Sequence, residues 1–213
     1  MNIVTDANFH APIHIILLSS LHIVLFFSNP DRLFWEWGFR KGDKLETAFL
    51  SLLVHVDFEH LISNLSLQIP FGMLFEMMHS HTPSVFIFWI SGLFGALVEI
   101  SILGDNITYG GASPGVFAII SAYLGHVIIN WNESQFKWVM LIIIFCYAIF
   151  TIASALITQS SNIAHWAHLG GFIHGFFMGI VTVKNYRIYN WEYYLRITCT
   201  FICGLSFLLF LIL

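Results

Sequence analysis

Three stretches of the chain carry side chains whose types and spacing could do chemistry together. The first is His55-Val-Asp-Phe-Glu-His60-Leu-Ile-Ser-Asn64. On a helix His60 and Asn64 stand four residues apart and share a face, and both can donate hydrogen bonds sideways. The second is Tyr109-Gly-Gly-Ala-Ser113-Pro-Gly-Val-Phe117. Its paired glycines supply a tight turn and Pro114 suits the first helical position, so Ser113 is expected at the N-cap of the helix that follows. The third is Ala164-His165-Trp-Ala-His168-Leu-Gly-Gly171-Phe-Ile-His174-Gly175-Phe-Phe-Met-Gly179. A serine becomes a nucleophile when a histidine within hydrogen-bond reach takes its proton, and Ser113 with His168 are candidates for that pair. Taken singly, each stretch also fits a plainer role: polar glue between helices, a capping serine, or a satisfied core histidine.

The elements that would bring them together are legible in the spacing of small residues. Gly171, Gly175 and Gly179 recur every four positions and make one smooth helical face. His168 precedes Gly171 by three and lies on that face near the helix start. The helix opened by Ser113 offers a matching small face through Ala118, Ser121, Ala122 and Gly125. Packing the two faces sets His168 beside Ser113. Gly111-Ala-Ser113-Pro-Gly115 also matches the GxSxG elbow of soluble hydrolases, but that elbow needs a strand and a doubly wound sheet. Neither suits this composition.

Of 213 residues, 58% are hydrophobic, 22 are Phe, and only 9% are charged. Soluble domains carry about 25% charged residues, so both a soluble domain and a disordered chain are excluded, and an integral membrane protein is expected. A net charge of −4 without a basic block argues against nucleic acid as partner. The three cysteines form no CxxC pair and read as small buried hydrophobes. The first residues lack a positive region and cleavage site, so no removable signal peptide is read.

A membrane-crossing helix needs about 20 apolar residues. Gaps between charges predict six spans near Ala11–Ser28, Leu50–Met78, Val85–Leu103, Pro114–Asn130, Trp138–Ile157 and Ala164–Val183, with the polar cluster Thr158-Gln-Ser-Ser-Asn162 dividing the last two. A loop with Lys184, Arg187 and Glu192 leads to a seventh span from Ile197 to Leu213. The fold class is thus an all-α membrane protein, with a short tail (1–10), a six-span core (11–183), and a loop plus extra span (184–213). The segment Pro30–Glu46 mixes Trp35 and Trp37 with charges and is expected in or on one leaflet. Orientation is not set by charge: Lys137, Lys184, Arg187 and Arg196 on one side balance Arg32, Arg40, Lys41 and Lys44 on the other.

HxxxxHxxxN on an early span, GxS opening a later one, and AHxxGxxxG on the next but one make the chain resemble rhomboid intramembrane serine proteases from His55 to Gly179. The resemblance implies a rhomboid-like six-helix bundle with an appended seventh helix. Ser113, after the Gly111-x pair, would be the nucleophile and His168 its base, a dyad without a third carboxylate. Phe117 would pack on His168. The amide of Ser113 and the side chains of His60 and Asn64 would receive the oxyanion, and His55 would steady the loop after the first span. Gly171 and Gly175 support the helix crossing. The substrates implied are transmembrane proteins in the bilayer, the N-terminus cytoplasmic, and the active site open to the outer or lumenal side.

Two departures stand out. The family usually has glycine after the nucleophile, where this chain has Pro114. Its Trp-Arg pair would align with Glu46-Thr47. Pro114 leaves open a catalytically inactive rhomboid-like protein that binds transmembrane clients. The 11 histidines raise a metal or haem reading, but His165 and His168 have no carboxylate or cysteine partner at ligand spacing, and no HExxH occurs. Neither a metal nor an organic cofactor is expected. Asn106-Ile-Thr108 and Asn132-Glu-Ser134 match the glycosylation triplet.

Overall fold

Proline, asparagine and acidic residues set several of the helix starts in the computed structural model, which describes residues 10–104, 107–158 and 164–208. The expected tail, apart from His10, lies outside the described residues, as do residues 159–162 of the polar cluster, residues 209–213 of the expected seventh span and Asn106 of the first glycosylation triplet. The helices are α1 (Ile13–Ser28), α2 (Pro30–Trp37), α3 (Leu45–Ser51), α4 (Phe58–Leu67), α5 (Met73–His79), α6 (His81–Phe86), α7 (Gly92–Leu103), α8 (Ser113–Ile129), α9 (Lys137–Thr158), α10 (His165–Thr182) and α11 (Asn190–Leu208). Among the described residues the sole β pairing is an isolated antiparallel bridge between Phe39 and Tyr109.

α1 has Pro12 at its N-cap, which offers no capping side chain. Instead the carboxylate of Glu76 on α5, itself buried, accepts from the amides of His14 and Ile15, each at 2.9 Å. Orphan amides and the positive end of a helix dipole are what such a buried anion requires. At the other end Asn29 caps α2 by accepting from the Arg32 amide at 3.2 Å, and the chain bends by 110° between α1 and α2. α2 presents Trp35, 67% exposed, and the guanidinium of Arg40 lies 5.5 Å above its ring.

The second expected span starts later than its charge pattern suggested. Leu50 belongs to α3, and α4 opens at Phe58 because the Asp57 carboxylate caps it, accepting from the His60 amide at 2.7 Å. The sequence places Asp57 near the start of the expected run; in the fold it is the residue that caps α4. A π turn over Gln68–Gly72 joins α4 to α5. It contains Pro70, whose missing amide opens the i→i−4 ladder.

A second π turn, Ile87–Ser91, lies between α6 and α7. Residues His81–Leu103 run through it as the one helix, among those described, long and apolar enough by itself to cross a membrane; Ser113–Ile129 and Lys137–Ile149 are shorter apolar stretches. α11 starts at Asn190 rather than near Ile197. Of the three charges that marked a loop, Lys184 and Arg187 precede the helix, while Glu192, with Arg196 just before the expected span, lies inside it, and these two have partners. Glu192 accepts from the side chain of Asn185, and Arg196 donates to the carbonyls of Val181 (2.6 Å) and Val183 (2.9 Å). Arg196 thereby closes the C-terminal end of α10.

α8 is the hub, with 15 of its 17 residues buried. Its closest neighbour is α10, where a Cβ placed on Gly171 would fall 2.3 Å from the Pro114 carbonyl oxygen. One on Gly175 would fall 2.3 Å from the Cα of Ala118, and one on Gly179 would fall 2.7 Å from the Cα of Ala122. Three glycines at four-residue spacing therefore lie directly on the backbone of α8. α7 joins at the same level, since a Cβ on Gly95 would lie 2.4 Å from the Ala167 oxygen.

Candidate active site

The turn before α8 is held by its backbone first. Phe39 and Tyr109 exchange amide-to-carbonyl bonds of 2.8 Å in both directions, and the Gly111 amide donates to the Ser51 oxygen at 2.8 Å. Gly111 adopts φ +150°, and a Cβ there would lie 2.6 Å from Cε1 of His60. Only glycine accepts both conditions. The Tyr109 hydroxyl donates to the Gly111 oxygen at 2.8 Å. Upstream, Arg40 Nε donates to the Thr108 hydroxyl at 2.9 Å and its Nη2 to the Trp35 oxygen at 3.0 Å, so the α2–α3 connection is tied to this turn.

Ser113 is the first residue of α8, not its N-cap. The cap is Ala112, whose carbonyl accepts from the Val116 amide at 3.1 Å. The serine hydroxyl is therefore free of helix capping and faces α10, where His168 Nε2 lies 2.8 Å from Oγ. Phe117, one turn on, stacks on His168 with ring centroids 4.2 Å apart and planes 10° from parallel. Tyr147 of α9 packs against Phe117 at 5.2 Å. Three elements thus fix the imidazole: the helix it stands on, the ring beneath it, and the hydroxyl at its tip. Its Nδ1 is buried and meets no acceptor among the described residues.

The first cluster divides. His60 is brought to the turn, its ring against Gly111. Asn64 is buried but its Nδ2 donates to the His60 oxygen at 3.1 Å, along its own helix. His55 is buried between two further rings, 5.1 Å from His22 of α1 and 5.3 Å from His60. His165 lies 6.5 Å from His168, edge to face. Among the described residues no group of three or more His, Cys, Asp or Glu is arranged to hold a metal ion.

Three contributors carried no role in the sequence reading. Tyr109 was visible only as the start of a motif. Glu99, buried on α7, accepts from the Ala167 amide at 2.7 Å and so caps α10, whose own N-cap, Ala164, has no side-chain acceptor. A lone carboxylate in an apolar run was the signal that could have found it. Ser91 and His174 form a second serine–histidine pair, Oγ to Nδ1 at 2.8 Å, with both residues buried and Phe94 stacked on the imidazole at 4.8 Å. With no exposed face, that pair joins the second π turn to α10.

The family model described as the rhomboid domain matches residues 42–185. The chain is 26% identical to Rhomboid-related protein 1 of Caenorhabditis elegans over 161 residues, covering 73% of this chain and 45% of that protein. It is 30% identical to Rhomboid-related protein 3 of Homo sapiens over 157 residues, 64% of this chain and 36% of the relative. Similarity extends to Rhomboid-type serine protease 2 of Emericella nidulans, 25% over 136 residues, 64% of this chain and 26% of the relative. The chain spans less than half the length of these curated relatives.

Proposed function

The chain belongs to the rhomboid family of integral membrane proteins, and from that premise we propose that it is an intramembrane serine endopeptidase. It cleaves peptide bonds in or next to the transmembrane helices of membrane-protein substrates. The observation that carries this reading is the 2.8 Å approach of Ser113 Oγ to His168 Nε2. With Oγ–H donating to Nε2, the serine attacks a scissile carbonyl while His168 takes the proton. His168 then returns that proton to the leaving amine, and water resolves the acyl-enzyme by the reverse exchange. The oxyanion is received by the amide of Ser113 and the side chains of His60 and Asn64. For Asn64 this asks that the second hydrogen of Nδ2 point away from its own helix. Phe117 holds the imidazole plane, and His55 and Gly111 position His60.

The six core spans in this reading are α1, α4–α5, α6–α7, α8, α9 and α10 (11–183), followed by a loop and an appended span (184–213) to which α11 belongs. α2 and α3 lie at one membrane face. The N-terminus is cytoplasmic and the site opens to the outer or lumenal side. A Ser–His dyad suits this setting because neither resting group carries charge, whereas a carboxylate triad in the bilayer is costly unless fully paired.

Pro114 supports a second reading, a catalytically inactive member that binds transmembrane clients. One experiment separates the two: labelling of the purified full chain by a serine-reactive fluorophosphonate. The protease reading expects labelling of the wild type and none of Ser113→Ala or His168→Ala. Label that persists in Ser113→Ala overturns it. An unlabelled wild type that retains transmembrane clients as well as Ser113→Ala does assigns the second.

A further inference from the structure

We propose that Tyr109 is a positioning residue for the nucleophile, its hydroxyl holding the Gly111–Ala112 peptide in the orientation from which Ser113 faces His168. The proposal rests on the reading of Ser113 as nucleophile. The turn enters α8 through a glycine at φ +150°, a conformation that flanking residues do not enforce. Its incoming side is anchored by the Phe39 bridge and by the Gly111 amide on the Ser51 oxygen. The outgoing peptide is anchored by the Tyr109 hydroxyl, which donates to the Gly111 oxygen at 2.8 Å. Because a peptide unit is planar, fixing that oxygen fixes the Ala112 amide opposite it and the Ala112 Cα. From Ala112 the helix begins, with Ser113 as its first residue.

The surroundings of Tyr109 distinguish the hydroxyl from the ring. The ring is buried in a packed cluster with Phe39, Leu93, Ala96 and Ala167. That cluster reaches from the nucleophile turn to the residue preceding His168. A phenylalanine would fill the same space. What the phenol adds is a donor in an apolar interior, and such a donor must be paired. Here it is paired two residues ahead in its own turn. The bond is thus spent on the backbone geometry of the turn rather than on joining helices.

The test is Tyr109→Phe in the full chain, labelled with a fluorophosphonate over a range of concentrations to separate the labelling amplitude, the maximal rate kinact and the half-saturation constant KI. The expected result is a maximal rate lower on the order of tenfold, from a nucleophile misdirected by a fraction of an ångström. Amplitude and KI stay unchanged, and the melting temperature falls by no more than about 4 °C, the cost of one buried hydrogen bond. A maximal rate equal to wild type overturns the proposal. So does a reduced amplitude at normal rate, which would make the hydroxyl merely structural, or a change confined to KI. An unlabelled wild type, or label that survives in Ser113→Ala, would instead remove the protease reading, and this proposal with it.

Discussion

Replacing Gly171 with alanine tests the central geometric claim, that backbone contact between α8 and α10 sets the distance between Ser113 and His168. Gly171 lies one turn after His168, and its added methyl would stand 2.3, 2.8 and 2.9 Å from the oxygen, carbonyl carbon and Cα of Pro114. Pro114 is the residue after Ser113, and all three atoms are main chain, so no rotamer can relieve the contact. Reaching an ordinary separation of about 3.4 Å requires the helices to part by about 1.1 Å at this level. Were that shift passed on whole, the 2.8 Å Ser113–His168 approach would open to about 3.9 Å, beyond any hydrogen bond. The expected outcome is a fluorophosphonate labelling rate lower by about a hundredfold, with about 1–3 kcal/mol of stability lost to overpacking. Gly204→Ala on α11, where a Cβ meets nothing within 4 Å, is the control and should label at the wild-type rate. Labelling of Gly171→Ala within about twofold of wild type, at an unchanged melting temperature, would refute the reasoning.

Glu99→Leu leaves the Ala167 amide without its acceptor and should lower the melting temperature and slow labelling. Glu99→Gln, whose amide oxygen can still accept, should restore most of both. Phe117→Ala removes the ring stacked under His168, a contact of about 0.5–1.5 kcal/mol, so the labelling rate should fall by about two- to tenfold, as stopped-time labelling would report. Pro114→Gly restores the residue usual in the resembled family. Because the tight contact with Gly171 is made by the backbone of Pro114, labelling should persist, while the loss of a fixed φ costs about 1 kcal/mol by denaturant titration.

Much of the helix crossing could be read before any coordinates. Glycines at 171, 175 and 179 announce a smooth face through the helical period alone, and Ala118 and Ala122 announce its counterpart. The start of α4 could not be read by counting apolar residues, because Asp57 and Glu59 look like charges inside a span until the Asp57 carboxylate is seen on the His60 amide. Arg196 and Glu192 misled in the same way: each is tolerated in α11 through a partner on the segment before it.

By themselves the residues determined the helical class and the candidate groups: few charges, long apolar runs, a serine shortly after two glycines, and a histidine on a glycine face. These are local properties, settled by composition and by spacing within a turn or two. Only the tertiary structure decided which hydroxyl the histidine meets, across 55 residues of chain, and that Glu99 caps a helix 68 residues away. It also turned Asn64 onto its own helix and set the Tyr109 phenol beneath the turn that carries Ser113. The reason is that a buried polar group must find a partner wherever packing brings one, and no local period encodes that address.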